Sequence, residues 1–93
     1  MLFNEHQSRL WRRMLKLIED FRKGKLQYYD FVGELEGTLD AGEFQDKKLV
    51  EQWYDFWTPL ESLRAQKGNN VTIEEVNKYL FDMEAFLRSR YSG

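Results

Sequence analysis

The chain contains no cysteine, one proline and one histidine in 93 residues. Without a thiol there is no disulfide, no thiolate nucleophile and no thiolate metal site, so the fold must hold by burial and hydrogen bonding alone. With one histidine, His6, the Glu-x-x-His pairs that build di-metal helical bundles cannot form, and His6 reads as a surface histidine without a role. A carboxylate-only site among Asp40, Glu43 and Asp46 lacks the dense oxygen-ligand pattern of a calcium loop, and a solvated acidic loop is the simpler reading. We therefore expect no metal and no cofactor.

Other absences narrow the function further. No apolar run approaches the ~20 residues of a membrane span, and Met1-Leu2-Phe3-Asn4-Glu5-His6 turns polar too early for a signal peptide, which together suggest a cytoplasmic protein. No G-x-x-x-x-G-K-[ST], G-x-G-x-x-G or G-x-S-x-G motif occurs, so there is no phosphate cradle, dinucleotide turn or nucleophile elbow. Glu34 and Glu36 stand two apart, a spacing that sends helical side chains to different faces and does not favour paired acid and base chemistry. Chorismate mutase matches in length, yet its N-terminal pattern of Arg followed by Ile-Asp pairs is missing. The expectation is a protein that is not an enzyme.

What is abundant is aromatic and charged surface. The chain is 16% aromatic and 42% apolar, enough for one domain of this length to fold alone. Leu10, Trp11, Met14, Leu15, Leu17, Ile18 and Phe21 follow the three-and-four spacing of one helix face, with Gly24 as the left-handed stop. A second stripe, Tyr28, Phe31, Val32, Leu35 and Leu39, predicts a helix from about Leu26. Gly33 and Gly37 either admit close contact or end that helix near Gly37, which makes Gly37 to Gly42 the best candidate for a long connection. A third helix is expected from about Gln45 to before Gly68 along Leu49, Val50, Trp53, Phe56, Trp57, Leu60 and Leu63. Its stripe keeps phase across Pro59, favouring one kinked helix over two. Thr72 and Glu75 form a capping box ahead of Val76, Leu80, Met83 and Leu87, and Ser92-Gly93 closes the chain. No stretch alternates with period two, so the fold expected is all-α, an antiparallel up-and-down bundle of four helices or of three.

The net charge of −2 is unevenly spread: residues 1–25 hold seven Lys/Arg against three Asp/Glu, and residues 26–66 hold three against nine. Opposite charges covering neighbouring helices account for this simply. A functional reading adds an acidic binding face. Trp53, Tyr54, Phe56 and Trp57 crowd one stretch so tightly that some aromatic surface should be exposed. Tyr28, Tyr29 and Tyr54, flanked by Glu34, Glu51 and Asp55, would then make aromatic anchors with an acidic rim suited to a basic protein partner. The alternative is a nucleic-acid-binding or regulatory role through Arg9, Arg12, Arg13, Lys16 and Lys23, which the overall acidity opposes. A homo-oligomer is left open.

Leu17-Ile18-Glu19-Asp20-Phe21-Arg22-Lys23-Gly24-Lys25-Leu26, followed by Asp30-Phe31-Val32 and Glu34-Leu35-Glu36, resembles the opening hairpin of small bacterial helical proteins that include colicin D immunity-like proteins. The resemblance implies an acidic helical protein that binds a cationic nuclease toxin and blocks its active site.

Overall fold

The computed structural model describes residues 3–90, and Ser92-Gly93 lie outside them. Four helices follow one another: α1 (Glu5–Arg22), α2 (Tyr28–Gly42), α3 (Lys47–Lys67) and α4 (Ile73–Arg90). Each packs on its chain neighbour and α4 closes against α1, giving the up-and-down bundle that the apolar stripes predict. The short turns force antiparallel neighbours. Phe21 meets Tyr28 at the α1–α2 turn, while His6 at the other end lies against the Ala41 carbonyl.

The apolar stripes converge on a core in which Trp11, Met14, Ile18, Phe31, Val32, Leu35, Trp53, Leu60, Val76, Leu80, Met83 and Leu87 are fully buried. Burying an indole or phenol leaves a polar hydrogen that must find an acceptor. Each does so on another helix. Trp11 Nε1 donates to the Leu87 carbonyl (2.7 Å), Trp57 Nε1 to the Val32 carbonyl (3.0 Å), Tyr28 Oη to the Leu60 carbonyl (2.7 Å), and Trp53 Nε1 to Met14 Sδ (3.3 Å). Among the described residues no buried side-chain nitrogen or oxygen lacks a partner.

Helix ends follow local chemistry. Asn4 caps α1 through a capping box with Gln7, a start upstream of the apolar stripe that begins at Leu10. At its other end Gly24 (φ +75°) takes the left-handed position, with Gly24 N–H donating to Phe21 and Lys25 N–H to Asp20, a Schellman stop. Thr72 and Glu75 exchange the expected capping-box bonds at α4. Helix α3 is one helix with Pro59 inside it and begins at an Asp46 cap.

The expected connection from Gly37 to Gly42 is instead the last part of α2, and the turn is confined to residues 43–46. Gly42 is glycine for a packing reason. A Cβ there would lie 2.2 Å from the Phe44 ring, which folds back over the helix end to pack edge-on against Trp11 at 5.3 Å. The residue that takes the left-handed conformation is Glu43 (φ +48°), at a cost for a side chain with a Cβ. Glu43→Gly should therefore raise stability by about 0.5–1 kcal/mol, whereas Gly42→Ala should lower it by ~2 kcal/mol or more as Phe44 is displaced. Thermal and urea unfolding of the two variants check both signs.

Candidate acidic face on α2 and α3

Residues of α2 that avoid the core settle which chemistry reaches solvent. The helix carries Asp30, Glu34, Glu36 and Asp40 and no basic residue. Its buried stripe, from Tyr28 through Phe31, Val32, Leu35 and Leu39, turns Gly33 and Gly37 outward. There Tyr29, Asp30, Gly33, Glu34, Gly37 and Arg64 line an open groove of about 560 Å³. The two glycines stand four apart, so they share a face and leave a strip of bare backbone between the carboxylates. Space above Gly37 is empty, while a Cβ on Gly33 would touch the Arg64 guanidinium at 3.0 Å. The helix thus tolerates both glycines through packing of its opposite side, and their small size makes the groove floor.

One end of the groove is built by tertiary contacts. Gln27 precedes α2 without capping it through its side chain; the Tyr29 backbone N–H is satisfied by Asn69 Oδ1 at 2.9 Å, from the α3–α4 turn. Arg64 lies over the Tyr29 ring with its guanidinium carbon 4.8 Å from the ring centre, donates to the Tyr29 carbonyl (3.3 Å), and is held by Glu61. Tyr29 remains 53% exposed, one wall of the groove rather than part of the core.

The expected aromatic and acidic residues separate in three dimensions. Tyr28 is 2% exposed with its hydroxyl tied to Leu60, so it is no surface anchor; burial pushes its phenol well above the ordinary range. Tyr29 and Glu34 share the groove, and Glu34 also accepts from Arg13 of α1 at 3.1 Å. Tyr54 lies between α2 and α3, half-buried, and lines a second, smaller cleft of about 150 Å³ with Leu39, Asp40, Glu43, Phe44 and Val50. Its hydroxyl donates to Glu36 at 2.9 Å, and burial together with that carboxylate pushes the phenol up to about 12. Glu51 and Asp55, four apart on α3, are both exposed.

The aromatic crowding on α3 is relieved without exposing large rings. Trp53 and Trp57 stack at 5.9 Å, Tyr54 packs edge-on to both, and Phe56 turns to the other side to stack on Phe86 at 4.9 Å. Among the described residues the most exposed large apolar side chain is Phe81 on α4, at 67%. The sequence reading missed Phe81; the signal for it was that Phe81 falls outside the Val76, Leu80, Met83, Leu87 stripe.

The basic residues of α1 are exposed but largely engaged. Lys16 pairs with Asp20 (2.8 Å), Lys23 with Glu19 (2.7 Å) and Arg13 with Glu34, while Arg9 stands in solvent and Arg12 has interactions of its own. The hydrogen bonds from lysine hold the Glu19 and Asp20 carboxyls below their ordinary values. Among the described residues no three His, Asp or Glu side chains are grouped to hold a metal ion, and no helix is long and apolar enough to cross a membrane. No protein-family model, curated protein or solved structure matches this chain.

Two outcomes follow for the groove and the cleft. Asn69→Ala should cost about 1 kcal/mol by stripping the cap from α2, and Asn69→Asp, which keeps the acceptor, should recover most of it in urea unfolding. Since folding favours the protonated phenols of Tyr28 and Tyr54, the stability they contribute is complete below pH 10 and is lost as pH rises through their native values, about 12 for Tyr54. Tyrosinate absorbance should show these two phenols ionising late, and Tyr54→Phe should remove one late step.

Proposed function

We propose that this protein is a small, non-enzymatic protein-binding module whose acidic outer face on α2 and α3 holds a basic protein partner. The observation that carries this reading is the α2 groove. The Gly33–Gly37 stretch of backbone lies between carboxylates, with an exposed tyrosine ring and Arg64, itself paired with Glu61, at one end and no lysine or arginine contributed by α2. A basic side chain entering the groove meets Asp30, which forms no ion pair with another described residue, and finds the space above Gly37 open. Charge of one sign on a shallow face accelerates encounter with an oppositely charged partner and makes binding salt-dependent.

Asp40 and Tyr54 at the smaller cleft, with Glu51 and Asp55 beyond them on α3, extend the acidic surface, and Tyr29 supplies the aromatic anchor in place of the buried Tyr28. An immunity-type inhibitor of a cationic toxin is the form of this function that the resemblance of the opening hairpin suggests. The alternative through α1 is weakened by the engagement of Arg13, Lys16 and Lys23 with carboxylates.

Charge reversal tests the proposal. Asp30→Lys with Asp40→Lys, and separately Glu51→Lys with Asp55→Lys, change exposed residues and should leave the helical circular dichroism intact. In affinity capture from a lysate of the source cell, the unaltered protein should retain a basic protein at low salt and release it at high salt. The Asp30/Asp40 variant should bind that protein at least tenfold more weakly, a loss of about 1.4 kcal/mol or more. Equal retention by both charge-reversed variants would show that the acidic face is not the site. Retention of nucleic acid that disappears on Arg12→Glu with Arg13→Glu would transfer the function to α1.

A further inference from the structure

The outward side of α4 is organised differently from the rest of the surface. Glu74, Lys78, Phe81, Ala85 and Arg88 are all exposed and fall at alternating spacings of four and three. Positions seven apart on an α-helix drift by only ~20°, so Glu74, Phe81 and Arg88 lie nearly in line along about 21 Å of helix. Phe81 stands in the middle, seven residues from each charge, with the small Ala85 beside it. No other described residue forms an ion pair with Glu74, Lys78 or Arg88, although α4 residues nearer its flanks are paired across helices, Glu84 with Arg22 and Glu75 with Lys67.

We propose that this face of α4 is the contact surface for a second copy of the same chain, packed antiparallel about a two-fold axis at Phe81. An isologous contact must be complementary to itself, and this strip is. Reversing the helix about Phe81 lays Phe81 on its own counterpart and sets Glu74 opposite the partner's Arg88 at both ends at once. The alternating four-and-three spacing is also the 3.5-residue period at which two helices stay in register along a left-handed crossing. The charges select this register: moving the axis two residues to Met83 would bring Lys78 against the partner's Arg88 and leave Phe81 facing Ala85.

One helix face is a small interface, so the dimer is weak, with a Kd on the order of 100 µM, and salt loosens it. Since α4 packs on α1 and α3 and makes no contact with α2, pairing through α4 leaves the acidic groove of each copy open.

Sedimentation equilibrium between 10 µM and 1 mM tests it. The unaltered protein should move from monomer toward dimer across this range. Phe81→Glu should stay monomeric throughout, with its helical circular dichroism retained because the ring it replaces is already in solvent. Glu74→Arg and Arg88→Glu should each weaken association about fivefold or more, and the double variant should return it to near the unaltered value. A protein that remains monomeric at 1 mM overturns the proposal, as does a dimer that survives Phe81→Glu. Failure of the double reversal to rescue the single ones would remove the two-fold register.

Discussion

Four buried polar hydrogens organise this bundle. An indole N–H or phenol O–H taken out of water costs free energy unless it finds an acceptor, and in a core of apolar side chains the acceptors on offer are carbonyls and sulfur on facing helices. Trp11 reaches α4, Trp53 reaches Met14 of α1 across the core, and Tyr28 and Trp57 exchange bonds between α2 and α3. Apolar packing alone permits helices to slide or rotate by small amounts with little penalty. A buried hydrogen bond to one named carbonyl does not. The reciprocal pair between α2 and α3 is the most constraining, because Tyr28 lies in the first turn of α2 and Val32 one turn later, so both the height and the rotation of that helix are set.

The outer surface of α2 follows from that constraint. With Tyr28, Phe31, Val32, Leu35 and Leu39 inside, Gly33 and Gly37 fall on the outer side of the helix, Gly33 beneath the Arg64 guanidinium and Gly37 open to solvent, among the carboxylates at 30, 34, 36 and 40. The glycines weaken the helix locally by about 1 kcal/mol each relative to alanine, which the buried face offsets. They give the groove its exposed backbone. At the groove's end the α2 N-terminus depends on Asn69, forty residues away, for one of its caps, and Arg64 braces Tyr29 from the same side. The α3–α4 turn thereby holds the groove's shape as well as joining two helices.

Electrostatics divides along the same lines. The basic surface of α1 is answered by carboxylates on its own turns and by Glu34 and Glu84 of its neighbours, so opposite charge on adjacent helices mostly serves to cover the bundle. Such exposed pairs contribute little individually. What they leave uncovered is more informative: Asp30 and Asp40 along α2, Glu51 and Asp55 on α3, and the symmetric strip on α4. Unbalanced charge persists on faces that neighbouring helices do not reach.

The amino-acid sequence by itself determined the helical class, the four apolar stripes, the Gly24 stop, the Thr72–Glu75 cap and the continuity of α3 through Pro59, because each depends on residues within a turn or two of one another. It also placed the acidic charge on the middle of the chain. Only the tertiary structure decided that α2 runs on to Gly42, since the need for glycine there comes from Phe44 folding back toward Trp11. It also decided that Tyr29 becomes a wall of the groove braced by Arg64, and that Trp53 and Trp57 stack on one another at 5.9 Å. Periodicity fixes which residues share a face of their own helix; how far a face is covered depends on where the other helices lie, and that is a property of the assembled core.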